Sequence, residues 1–126
     1  MRINCAKELT VYQKAYALAM DIFRMTTTFP PEERFALVSQ IRRSSRSVCL
    51  NLREAWAKRR YEASFISKLT DCDAEMNETD SALDFAHDCG FVPTEEHTRL
   101  IAVCSEVRRM LGAMLNNPNP FLIHST

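Results

Sequence analysis

Apolar residues recur at alternating spacings of three and four along almost the whole chain, and turn residues interrupt that rhythm at only three places. A period near 3.6 specifies helices with one greasy stripe each, and a stripe can be buried only against other stripes. In the first segment, about 7–28, the stripe runs through Val11, Ala15, Leu18, Ala19, Ile22 and Phe23 before Phe29-Pro30-Pro31 ends it. Proline at the first helical position with Glu32 and Glu33 behind it then opens a second segment, 31–59. Its stripe is Val38, Ile41, Ser45, Val48, Leu52 and Ala55, where the small hydroxyl of Ser45 would let a neighbouring helix come close.

The third segment, 61–89, carries Phe65, Leu69, Cys72, Met76, Thr79, Leu83 and Ala86, with Gly90 placed for a left-handed C-terminal cap. Thr94 is read as the N-cap of a fourth segment, 94–116, striped by Leu100, Ile101, Cys104, Val107, Leu111 and Leu115. Asn116-Asn117-Pro118 stops it, leaving a tail, 117–126, whose Phe121, Leu122 and Ile123 either dock or stay loose. Only two glycines are present, too few for a turn-rich β fold or a Gly-rich phosphate loop. The expected architecture is therefore all-α. Residues 1–126 are read as one domain, an antiparallel up-down-up-down four-helix bundle.

No apolar run is long enough to span a bilayer, and the basic N-terminal stretch does not have a secretory pattern. Five cysteines at long, uneven spacings fit neither a disulfide framework nor a zinc site, so they read as free thiols in a reducing cytoplasm. A di-iron bundle centre needs inward glutamates and two Glu-x-x-His pairs, whereas Asp84-Phe85-Ala86-His87 occurs once and His97 and His124 are scattered. No serine lies on a nucleophile elbow, and no Cys–His–Asp set has a supporting context. The expectation is a non-enzyme with no catalytic residue, metal or cofactor.

Charge is the informative remainder. Net charge is zero, yet residues 30–60 hold eight bases against three acids and residues 61–90 one base against eight acids. At 100° per residue, Arg42, Arg46, Arg53 and Arg60 fall within about 40° of one another, beside the apolar stripe. Arg43, Lys58 and Arg59 widen this basic face, with Trp56 at its edge. Guanidinium forks at one- and two-turn spacing suit phosphates, so these seven cations are the candidate nucleic-acid-binding residues. Two other readings stay open. The arginines could pair with Asp71, Asp73, Glu75, Glu78, Asp80, Asp84 and Asp88 of the third helix, within or between subunits, making an interaction scaffold; or the face is merely solvated. Leu37, Leu50 and Phe85 lie off the stripes and argue for a second buried surface, hence self-association. A break at residues 44–47, giving a helix-turn-helix, is opposed by the unbroken heptad.

The stretches ELTVYQKAYALAMDIF (8–23), FPPEERFALVSQIRRSSRSVCLNLREAWAKRRYEASFISKL (29–69) and ETDSALDFAHDCGF (78–91) carry a resemblance to a family. They are similar to bacterial four-helix bundle proteins encoded in intervening sequences of large-subunit ribosomal RNA genes, together with accessory proteins of diversity-generating retroelements. Gln40, Arg42 and Arg43 match the family's Gln-x-Arg-Arg, and Asn51 and Glu54 its Asn-x-x-Glu. Many members have glycine where this chain has Ala55; one branch has Ala-Trp and continues into Lys-Arg-Arg-Tyr, as here with Trp56 and residues 58–61. The resemblance implies a homopentameric ring, nucleic-acid binding through basic surfaces and, for the retroelement proteins, association with a reverse transcriptase.

Overall fold

The computed structural model describes residues 2–124; within them, four α-helices form the bundle and there is no strand. They are α1 (Thr10–Thr26), α2 (Ser39–Ala57), α3 (Glu62–Asp88) and α4 (Thr94–Asn116). Each helix packs on its sequence neighbours, and α1 closes the ring against α4. Ion pairs at separated levels fix the antiparallel sense: Lys14–Glu106 and Asp21–Arg99 between α1 and α4, Asp84–His97 and Asp73–Arg108 between α3 and α4. Between α2 and α3 the rungs are Arg43–Glu75 and Glu54–Lys68.

The apolar stripes converge as their period requires. Ile22, Ile41, Phe65, Leu69, Met76, Leu83, Leu100 and Leu111 are fully buried, and Ser45 and Thr79 are buried among them. Close approach of α2 and α3 depends on small hydroxyls, though Ser44 supplies the cross-helix bond. Its Oγ lies 2.8 Å from Thr79 Oγ1, and Thr79 donates in turn to the Glu75 carbonyl at 2.9 Å. Burying hydroxyls is costly unless they are paired. No described buried side-chain polar atom lacks a partner.

Several boundaries differ from the sequence expectation. Leu9 is extended (φ −67°, ψ 131°), so residues 6–8 form a separate 3₁₀ turn and α1 begins at Thr10 rather than near 7. The second segment does not open as α-helix. Pro31–Glu33 is a 3₁₀ turn and Arg34–Val38 a π turn, with the Glu33 carboxylate accepting from the Leu37 amide at 3.2 Å. Leu37, expected to be off the stripe, is buried beside Val38, because it sits one turn before Ile41 and within about 40° of it. From Ser39 the helix runs unbroken through residues 44–47, so no helix-turn-helix forms. It ends at Ala57, which leaves Lys58, Arg59 and Arg60 in the connection rather than on the α2 face.

Gly90 has φ +82° and completes the cap of α3: its amide donates to the His87 carbonyl and the Phe91 amide to Ala86, each at 2.9 Å. Thr94 is the first residue of α4 rather than its cap; Pro93 holds that position, and the Thr94 hydroxyl instead shares a 3.0 Å hydrogen bond with His87 Nε2. The tail docks as far as it is described. Phe121 stacks on Phe65 at 6.4 Å and the Ile123 amide donates to the Arg59 carbonyl at 3.1 Å. Residues 125–126 of the expected tail lie outside the described residues.

Candidate nucleic-acid interface

Antiparallel packing of α1 on α2 brings an aromatic row against a basic one. Phe23 and Tyr12 are eleven residues apart on α1, and Arg42 and Arg53 are eleven apart on α2. Equal rise along two antiparallel rods therefore aligns Phe23 with Arg42 and Tyr12 with Arg53. The guanidinium carbon of Arg42 lies 4.7 Å from the Phe23 ring centre, that of Arg46 5.8 Å from the same ring, and that of Arg53 5.6 Å from Tyr12. A cation over a ring is held by the quadrupole at its face, for about 0.5–1 kcal/mol at an exposed site. That contact holds the guanidinium against the ring without consuming its N–H donors.

The seven predicted cations fare differently. Arg46 and Arg53 are exposed and have no hydrogen bond or ion pair among the described residues. Arg42 donates from Nε to Thr26 Oγ1 at 2.8 Å and from Nη2 to the Phe23 carbonyl at 3.3 Å, so it is half-buried and anchored. Arg43 is spent: it bridges Glu75 at 3.2 Å and Glu78. Its pKa is held above the ordinary arginine value, by the Glu78 hydrogen bond first and then the Glu75 charge. Arg59 covers the Trp56 ring at 3.6 Å and donates to the Trp56 carbonyl at 2.8 Å, while burial pulls its pKa down. Lys58 and Arg60 are exposed without described ion-pair partners, in the connection past the end of α2. Within the subunit, pairing with α3 acids thus accounts for Arg43 alone among the seven.

Of the remaining motif residues, Asn51 donates to the Ser47 carbonyl at 3.0 Å and to its hydroxyl at 3.1 Å. Glu54 pairs with Lys68 at 2.8 Å; that hydrogen bond and the Lys68 charge hold the Glu54 carboxyl below the usual range. Both are structural here. Gln40 is exposed and lines a groove with Phe35, Leu37, Arg43, Glu78 and Phe85.

The 23S rRNA-intervening sequence protein family model matches residues 7–113. The chain belongs to that family. Consistent with membership, the bundle superposes on the crystal structure of a protein of unknown function from the S23 ribosomal protein family of Bacteroides thetaiotaomicron VPI-5482. The TM-score is 0.77 at 26% identity, covering 85% of this chain and 96% of that one. No curated protein matches. Neither the intervening-sequence family description nor that of the neighbour states an activity.

Sequence reasoning missed the aromatic half of the seam. The helical period expects Phe23 on the core stripe, but it is 38% exposed, one residue past the fully buried Ile22 and so turned about 100° from it. A partial signal existed: the eleven-residue step from Tyr12 to Phe23 equals that from Arg42 to Arg53. Elsewhere, no described group of three or more His, Cys, Asp or Glu is arranged for a metal. His87 and His97 stack at 4.4 Å, but each turns to a different partner, Thr94 and Asp84. Burial pushes the Cys49, Cys72 and Cys104 thiols up, to about 11, 12 and 12, which marks them as core residues rather than nucleophiles. No described helix is long and apolar enough to cross a membrane.

Proposed function

We propose that this member of the intervening-sequence family is a non-enzymatic nucleic-acid-binding protein whose contact surface is the α1–α2 seam. One observation carries the reading: Arg46 and Arg53 stand free of carboxylates among the described residues and lie against aromatic rings, whereas Arg43 is the one held by α3 acids, Glu75 and Glu78. Pre-orientation lowers the entropy lost when a long side chain grips a phosphate. The narrower basis, relative to seven cations on one face, sets the expected salt response. With Arg42, Arg46, Arg53 and Lys7 along the seam, about four phosphates are neutralised, and log affinity should fall with log salt at a slope near −3 for a single strand. Fluorescence anisotropy with labelled RNA and DNA between 50 and 300 mM salt (roughly the range over which such binding is lost) checks this. A flat response or no binding rejects the reading.

Self-association belongs to the same proposal. Phe35 is 88% exposed and Phe85 64%, and the two share one groove, whereas isolated exposed apolar residues are ordinary. A second copy covering that groove would leave the basic seam on the outside of an oligomer, and the pentameric ring implied by the resemblance is carried here as a proposal. The Phe35→Ser, Phe85→Ser double variant is expected to shift the mass in light scattering toward the 14.5 kDa protomer, with a melting curve little changed at the helix level. An unchanged oligomer would place the interface elsewhere. A multivalent basic ring suits an accessory or adaptor role beside an enzyme acting on nucleic acid, such as a reverse transcriptase.

A further inference from the structure

The seam contains a feature that charge alone does not explain. Tyr16 is 53% exposed, and no described cation lies over its ring. It stands 6.1 Å from the Tyr12 ring, inclined by 29°. Together with Lys7, Gln13, Ala17 and Arg53 these tyrosines line a cleft of about 440 Å³, within the size range of small-molecule sites. The cleft shares Lys7 and Arg53 with a second one, against Trp56, and neither has a carboxylate in its lining. Gln13 is tethered: its Nε2 donates to the Lys7 carbonyl at 3.1 Å. An amide has two donors and an acceptor, so Oε1 and one N–H are left for a ligand.

An open aromatic face, an amide with a donor and an acceptor to spare, and two cations correspond in turn to the face, the edge and the phosphates of a nucleotide. We infer that this cleft is a nucleotide subsite for a single-stranded polynucleotide, with a base stacked on Tyr16, its edge bonded by Gln13, and the adjoining phosphates held by Arg53 and Lys7. The inference rests on the proposed nucleic-acid reading and narrows it. A base inside a duplex is already covered on both faces and cannot use the ring, so a duplex would engage the cations alone.

The test measures binding of oligo(U), oligo(dT) and a mixed-sequence RNA duplex of equal length to the full chain, its Tyr16→Ala and Tyr16→Phe variants, and the Arg46→Glu, Arg53→Glu double variant. Loss of one stacking plate should weaken single-strand binding by roughly 5- to 100-fold. Duplex binding should change less than about 2-fold, and the salt slope should stay as it was because no charge is removed. Tyr16→Phe keeps the plate and should bind as the parent does. Tighter binding of oligo(U) assigns RNA as the source of the strand, tighter binding of oligo(dT) assigns DNA. Tyr16→Ala acting equally on single strand and duplex, acting on neither, or being matched by Tyr16→Phe overturns the subsite. If the arginine variant still loses affinity in those cases, the nucleic-acid reading stands without it; a parent protein that binds none of the three probes removes both.

Discussion

Replacing Arg46 and Arg53 together by glutamate is expected to lower nucleic-acid affinity by about two orders of magnitude or more. The seam offers only a few cations free of acids, so the substitution removes two of them and sets two negative charges against the phosphates. Like-charge juxtaposition at an interface costs several kcal/mol, which is a factor of this size. The salt slope should flatten by about 1.4 for a single strand, since each lost phosphate contact contributes about 0.7. The informative comparison is Arg43→Gln. Arg43 lies on the same helix and would have been counted with the others from sequence, but Glu75 and Glu78 already hold it. Its loss should leave affinity within about 2-fold and cost about 1 kcal/mol of stability or less, because the guanidinium is more than half exposed where it meets the two carboxylates. Equal losses from Arg43→Gln and the double variant, measured by anisotropy titration, would mean that net charge rather than the seam governs binding.

That contrast shows where the sequence is transparent and where it is not. The helical period reports burial directly: every residue of the α2 stripe from Val38 to Ala55 and of the α3 stripe from Phe65 to Ala86 is buried. Gly90 was equally legible, because only one backbone conformation completes that cap. Errors gather where two elements act on one residue. Whether an arginine is free depends on the register between helices, and a stripe fixes the facing side of a helix but not how far the helix slides along its neighbour. The rung that sets Arg43 level with Glu75 and Glu78 is therefore invisible in the heptad, as is the alignment of Tyr12 with Arg53. Thr94 failed for a related reason. A threonine after proline has the composition of a cap, but Pro93 is extended (φ −60°, ψ 151°) and takes the cap position, which frees the hydroxyl for His87. The π turn at Arg34–Val38 leaves no pattern of its own in sequence; it arises where Pro31 and the Glu33 carboxylate set the first turns before α2 settles into its regular period.

The largest stability effect should come from Phe65→Ala. Phe65 is fully buried in the first turn of α3 and lies against Phe121 of the tail, so its ring joins the bundle core to the 3₁₀ turn Asn119–Phe121. Truncating a buried phenylalanine removes its transfer energy and leaves a cavity, together about 3–5 kcal/mol. A domain of this size commonly has about 5–15 kcal/mol in total, so the variant should stay folded at room temperature with a melting point lowered by roughly 10–20 °C. Calorimetry at one fixed protein concentration checks it, because association would make the transition concentration-dependent. Tyr61→Ala is the control: a ring of similar size is removed where it is 65% exposed and outside the proposed interface, and the melting point should move by only a few degrees at most. The tail supplies a second readout. With its stacking partner gone, Phe121 loses the contact that holds the 3₁₀ turn Asn119–Phe121, and the Ile123–Arg59 backbone bond loses its support. Proteolysis beyond residue 116 should then outpace unfolding of the bundle. A variant that melts within about 4 °C of the parent and keeps its tail protected would show that the α3 end of the core can close over the missing ring, and that the tail is anchored by contacts other than Phe65.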